Sequence, residues 1–130
     1  MWKRKFLVAA ILALACVLTP AAADDFPNRP ITFVVPFTPG GITDTTARMV
    51  ADEMTKFLGQ SIVVDNRSGA GGTVGTEQVA RSNPDGYTIL YGTQGTMAAN
   101  VTLRKSLPYD PLKNFAPVHM MGQSPNVVVA

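Results

Sequence analysis

Along this chain the period of the hydrophobic positions changes several times, and the changes mark out its elements. Ile31-Thr32-Phe33-Val34-Val35 is almost continuously apolar, as in a strand covered on both faces of a parallel sheet. Pro36, Pro39, Gly40 and Gly41 end it. Over residues 42–58 the period becomes helical. Ala47, Val50, Met54, Phe57 and Leu58 share one face, which is expected in the core, and Arg48, Asp52, Thr55 and Lys56 lie opposite. Asp44 suits the positive end of that helix, and Gly59 is a stop signal. Residues 61–64 read as a second strand, and residues 73–81 as a helix packed through Val74 and Val79. Asn83-Pro84-Asp85-Gly86 is a turn, Tyr87-Thr88-Ile89-Leu90-Tyr91 a third strand, and residues 97–103 a short helix. Residues 107–115 are proline-rich, with room for one helical turn from Pro111. Two further apolar runs, 116–121 and 126–130, complete the order β-α-β-α-β-α-β. That order predicts an α/β domain with a mainly parallel sheet. The last run has the character of a strand interior, so the sheet is expected to be incomplete at the C-terminus and the chain poorly stable alone.

Each of the first three strands runs into a polar, glycine-bearing loop. The second is the most pronounced: Asp65-Asn66-Arg67-Ser68-Gly69-Ala70-Gly71-Gly72-Thr73. Strand, glycine turn and helix start together point backbone N–H groups at an anion. Phe37-Thr38-Pro39-Gly40-Gly41-Ile42-Thr43-Asp44 repeats the design upstream, and Gly92-Thr93-Gln94-Gly95-Thr96 follows the third strand. A single such loop is commonly turn punctuation. Two in one small chain, both at the carboxyl end of an expected parallel strand, favour a ligand site, because open α/β sheets bind ligands there.

Charge changes meaning once the N-terminus is set apart. Lys3, Arg4 and Lys5, an apolar run of thirteen residues (6–18) and Ala21-Ala22-Ala23 have the three regions of a secretory signal peptide. The run is short for a bilayer span. A leader of residues 1–23, cleaved after Ala23, places residues 24–130 in the periplasm. Cleavage removes three of the eleven Lys and Arg, leaving eight against nine Asp and Glu. No basic surface then argues for nucleic acid or membrane binding. Cys16, the single cysteine, lies within the leader; a lipoprotein reading that acylates it fits less well than cleavage at the alanines. No disulfide or cysteine metal site is expected.

Catalytic patterns are missing. Gly69-Ala70-Gly71 begins a dinucleotide fingerprint, but Val74 stands where the third glycine is due, and no Lys-Ser or Lys-Thr completes a Walker loop. His119 is the sole histidine and sits in an apolar run, which suggests a structural role. There is no Ser-His-Asp set and no metal-ligand spacing among the carboxylates. The residues favour a binding protein without cofactor or metal. An exported sensor module and a nucleotide- or phosphate-binding enzyme fragment are the alternative classes.

Four ordered motifs carry a resemblance. Pro27-Asn28-Arg29-Pro30-Ile31 with Val35-Pro36-Phe37-Thr38-Pro39-Gly40-Gly41 and Asp44 is the first. Val63-Val64-Asp65-Asn66-Arg67-Ser68-Gly69-Ala70-Gly71-Gly72 is the second. Asn83-Pro84-Asp85-Gly86-Tyr87-Thr88 and Tyr109-Asp110-Pro111-Leu112-Lys113-Asn114-Phe115-Ala116-Pro117-Val118 follow. Together they resemble the Bug family, the extracytoplasmic substrate-binding proteins of tripartite tricarboxylate transporters. The resemblance implies a type II periplasmic-binding-protein fold, with two α/β lobes flanking a cleft, of which residues 24–130 match the amino-terminal part. It implies capture of a small organic carboxylate, delivery to integral membrane subunits, and a monomer at full length. By the same resemblance the ligand is held through backbone N–H groups and ordered water. The residues implied are Phe37, Thr38, Gly40, Gly41, Thr43 and Asp44 in one loop, Ser68, Gly69, Ala70, Gly71, Gly72 and Thr73 in another, and Thr93 and Gln94 in a third. Pro39 has no N–H to offer. Arg67 is a countercharge for the ligand or a surface ion pair.

Overall fold

The computed structural model describes residues 25–123. The expected leader, its cleavage site, Cys16 and the apolar run 126–130 lie outside the described residues. Three parallel strands form the sheet: β1 (Ile31–Val35), β2 (Ile62–Asn66) and β3 (Thr88–Leu90), in the order β2-β1-β3. Phe33 stands opposite Val64 on one side and Ile89 on the other. Helix α1 (Ile42–Leu58) connects β1 to β2, and a 3-10 turn (Ala70–Gly72) with α2 (Thr73–Ala80) connects β2 to β3. The crossovers run in opposite directions, from β1 out to β2 and from β2 back past β1 to β3, so with the usual right-handed connection the two helices lie on opposite faces. Beyond β3 a π-helical turn (Gly95–Ala99) runs directly into a short helix, α3 (Asn100–Leu103).

Side-chain alternation divides β1 between the two layers. Phe33 and Val35 meet Ala47 and Ala51 of α1, with Val50, Ile62, Val64, Ile89 and Tyr91 packed around them. The Phe33 and Tyr91 rings stack at 6.2 Å. Val34, fully buried, faces the α2 layer, where Thr76 and Val79 are buried. Gly75 permits that close packing, because a Cβ there would lie 2.7 Å from the Arg67 carbonyl and 3.0 Å from Pro36 Cα. Gly59 adopts φ 66° and closes α1 by donating to the Thr55 carbonyl.

Three expectations change. The face of α1 that touches the sheet is Asp44, Ala47 and Ala51. Small residues let the helix sit close, which rotates the larger ones to the flank: Val50 and Met54 are half-buried, Leu58 is exposed and Phe57 is 87% exposed. Val74 is likewise half out of the core, lying over Gly69. Residues 116–121 do not form a fourth strand. The segment is exposed, His119 included, and lies outside the regular elements. The proline-rich stretch does hold its single turn, capped by Asp110, which accepts the Leu112 N–H at 2.9 Å. The Lys113 ammonium, 3.0 Å away, and that N–H hold the Asp110 carboxyl below its ordinary range.

Candidate functional site

All three sheet strands point the same way, so their following loops gather at one edge, the ligand edge of open α/β sheets. The loops converge at Gly72. A Cβ placed there would lie 2.6 Å from Thr96 Cγ2 of the third loop and 3.3 Å from Phe37 Cζ of the first. The sequence pattern requires glycine at this point for two reasons: the contact leaves no room for a side chain, and φ is +87°.

The first loop is organised by Asp44, which is buried at the start of α1. Its carboxylate accepts the Gly40 N–H at 2.8 Å and the Asn66 side-chain amide at 3.0 Å, and pairs with Arg48 at 3.0 Å. Arg48 first, then the Gly40 N–H and Asn66, lower its pKa from the ordinary 3.8 to about 2. Asn66 also donates to the Phe37 carbonyl at 3.2 Å, tying the end of β2 to the loop after β1. The Gly40 N–H is therefore satisfied internally. Gly41 caps α1 without a side-chain bond, and the N–H groups of Ile42 and Thr43, in the first helical turn, have no intrahelical acceptor. Thr38, Gly40 and Gly41 are exposed, and Thr43 is half-exposed.

The second loop is a run of left-handed backbone: φ is 144° at Gly69, 47° at Ala70, 63° at Gly71 and 87° at Gly72. Its carbonyls turn into the protein. Gly69 O accepts the Gly72 N–H at 2.9 Å, Gly71 O accepts the Asn100 amide at 3.2 Å, Gly72 O accepts the Thr76 hydroxyl at 2.8 Å, and Ala70 O accepts the Arg104 guanidinium. The N–H groups of Ala70 and Gly71 have no acceptor among the described residues, and both residues are exposed, as are Ser68 and Gly69. Successive unpaired N–H groups in a turn can form an anion-binding concavity. Thr73 is buried as the first residue of α2.

In the third loop Thr93 and Thr96 bond one another: the Thr93 N–H reaches Thr96 Oγ1 at 3.0 Å, and that hydroxyl donates to the Thr93 carbonyl at 3.2 Å. Gln94 is exposed at the start of the π-helical turn. The buried hydroxyl of Tyr109 donates to the Thr96 carbonyl at 2.7 Å, so the proline-rich segment props the third loop.

The fourteen sequence-predicted positions thus lie in three loops at one edge, with Phe37, Gly72 and the turn at Thr96 in contact. Arg67 pairs with Asp65 at 2.8 Å on the surface. Of the supporting residues, Asn66 and Tyr109 stand within quoted motifs without being singled out for the site, and Asn100 and Arg104 carried no signal beyond polarity on or beside a short helix. Among the described residues no group of three or more His, Cys, Asp or Glu is placed to hold a metal. The chemistry on offer is recognition of a small anion by main-chain donors.

Comparison with known proteins gives the family. The family profile described as tripartite tricarboxylate transporter family receptor matches residues 46–130. BugT of Bordetella pertussis is 43% identical over 95% of this chain, which spans 38% of BugT. Among solved structures, MatC from Rhodopseudomonas palustris, with bound malate, is 50% identical with a TM-score of 0.69, over 72% of this chain and 32% of MatC. A second R. palustris protein, with adipate, is 45% identical with a TM-score of 0.66, over 68% of this chain and 29% of its own. The strand order, the glycine turn at its carboxyl edge and these matches together show that the chain belongs to the tripartite tricarboxylate transporter receptor family, whose Bug-type members are periplasmic solute-binding proteins.

Proposed function

We propose that the chain supplies one wall of an extracytoplasmic receptor that captures a small organic carboxylate and presents it to integral membrane transporter subunits. The observation that carries this reading is the turn at Ala70 and Gly71. Its carbonyls are bonded to Asn100 and Arg104, and the N–H groups of Ala70 and Gly71, both exposed, have no acceptor among the described residues. The first-turn amides of α1 add donors of the same kind. Binding without catalysis fits a site made of amides rather than nucleophiles and bases. The bound malate and adipate of the two R. palustris proteins are carboxylates, which supports the ligand class. The chain spans 38% of BugT, and in this reading the opposite cleft wall belongs to the part of such proteins that the match does not reach. The receptor acts as a monomer.

Thermal unfolding and calorimetric titration against malate, adipate and other mono-, di- and tricarboxylates test the proposal. A bound acid at a hundredfold excess over its dissociation constant should stabilise the protein by about 2.7 kcal/mol. No shift with any carboxylate would overturn the reading. Export with cleavage after Ala23 belongs to the same proposal. Mass spectrometry of periplasmic protein should find Asp24 first, and an intact N-terminus in the membrane fraction would contradict it.

A further inference from the structure

The anion turn is held by two side chains distant from it in sequence. Asn100 and Arg104, at the two ends of α3, reach back across 29 and 34 residues to the carbonyls of Gly71 and Ala70. A trans peptide is planar, with its C=O and the following N–H pointing in opposite directions. Pinning the Ala70 carbonyl therefore aims the Gly71 N–H, and pinning the Gly71 carbonyl aims the N–H of Gly72, which closes the turn onto Gly69. The Ala70 carbonyl also accepts the Thr73 N–H, but Ala70 stands at φ 47°, where a residue with a Cβ is disfavoured, so the side-chain bonds add to a turn whose backbone is strained. Arg104 also sits close, because a Cβ on Gly71 would lie 3.3 Å from its Nη2. Its Nε is buried with no partner among the described residues. A buried donor left unsatisfied calls for an explanation, and the bond to Ala70 provides one: the guanidinium stays where it holds the turn.

Resting on the carboxylate-binding reading above, we infer that Arg104 and Asn100 are positioning residues of the receptor. Arg104 holds the Ala70 carbonyl so that the Gly71 N–H is left to meet the ligand, Asn100 holds the Gly71 carbonyl so that the Gly72 N–H closes the turn, and neither need touch the ligand itself.

The test pairs ligand affinity with local backbone order in the purified protein. Calorimetry with malate and amide ¹⁵N relaxation are measured for wild type, Arg104→Met, Arg104→Lys and Asn100→Ala. In the wild type, order parameters at Ala70 and Gly71 should match rigid backbone, about 0.85, and in Arg104→Met they should fall below about 0.6. Affinity should fall by about tenfold, the size of one lost hydrogen bond. Asn100→Ala should act in the same direction. Lysine keeps the charge without the planar fork, so Arg104→Lys should resemble Arg104→Met. Full recovery by lysine, or unchanged order at Ala70 and Gly71 in Arg104→Met, would overturn the inference. If wild type binds neither malate nor any other carboxylate, the functional reading fails, while the order parameters still decide whether α3 positions the turn.

Discussion

The loop after β1 and the turn after β2 share one local pattern of apolar strand, glycines and helix, yet they use their N–H groups in opposite ways. In the first, an internal anion occupies the donor: Asp44 takes the Gly40 N–H and is itself held by Arg48 and Asn66. In the second, the protein takes the carbonyls, and the N–H groups of Ala70 and Gly71 have no acceptor among the described residues. The first loop is braced by a carboxylate of its own, and the second is the one to which the proposed function assigns an external carboxylate. A glycine loop at a helix start is therefore a ligand site only where its donors are not already satisfied.

Four substitutions probe this contrast. The largest effect is expected at Gly72, where the loops touch. Gly72→Val would drive a side chain into Thr96 and Phe37 at φ +87°. Overpacking costs about 1–3 kcal/mol and the left-handed backbone about 1–2 more, read by denaturant unfolding. A variant as stable as wild type would show that the loops do not converge as described.

Next is Asp44, the internal anion. Its folded pKa lies below the ordinary 3.8, at about 2, so its contribution is complete above 3.8 and lost as pH falls through 2. Asp44→Asn should lower the unfolding midpoint at neutral pH, with the gap closing in that acidic window. A gap independent of pH would mean that the carboxylate charge does not brace the loop.

Gly71→Val should act on binding more than on folding, because the position is exposed, although φ of +63° makes it strained. Loss of one or two charge-assisted hydrogen bonds at roughly 1.5–3 kcal/mol each would weaken carboxylate binding by about tenfold to a few hundredfold or more in titration. The smallest effect belongs to Arg67→Ala, whose surface pair with Asp65 is worth about 0.2–1 kcal/mol. Near-normal affinity for Gly71→Val with binding abolished in Arg67→Ala would replace the main-chain site by a conventional salt bridge.

The local pattern by itself determined the elements that depend on period and backbone freedom. Continuous β-branched and aromatic residues specified β1, helical spacing bounded by glycines specified Ile42–Leu58, and Gly69, Gly71 and Gly72 marked where the chain takes positive φ. Where an element needed a distant partner, local pattern misled. Residues 116–121 are apolar enough for a strand but pair with no other strand among the described residues, and the Phe57 side of α1 gave way to Ala47 and Ala51 because close approach to the sheet favours small side chains. Only the tertiary structure decided which donors of each loop stay free. That depends on bonds from Asn66, Asn100, Arg104 and Tyr109. Such bonds form between segments brought together by sheet order, and sequence spacing carries no record of which amide they leave open.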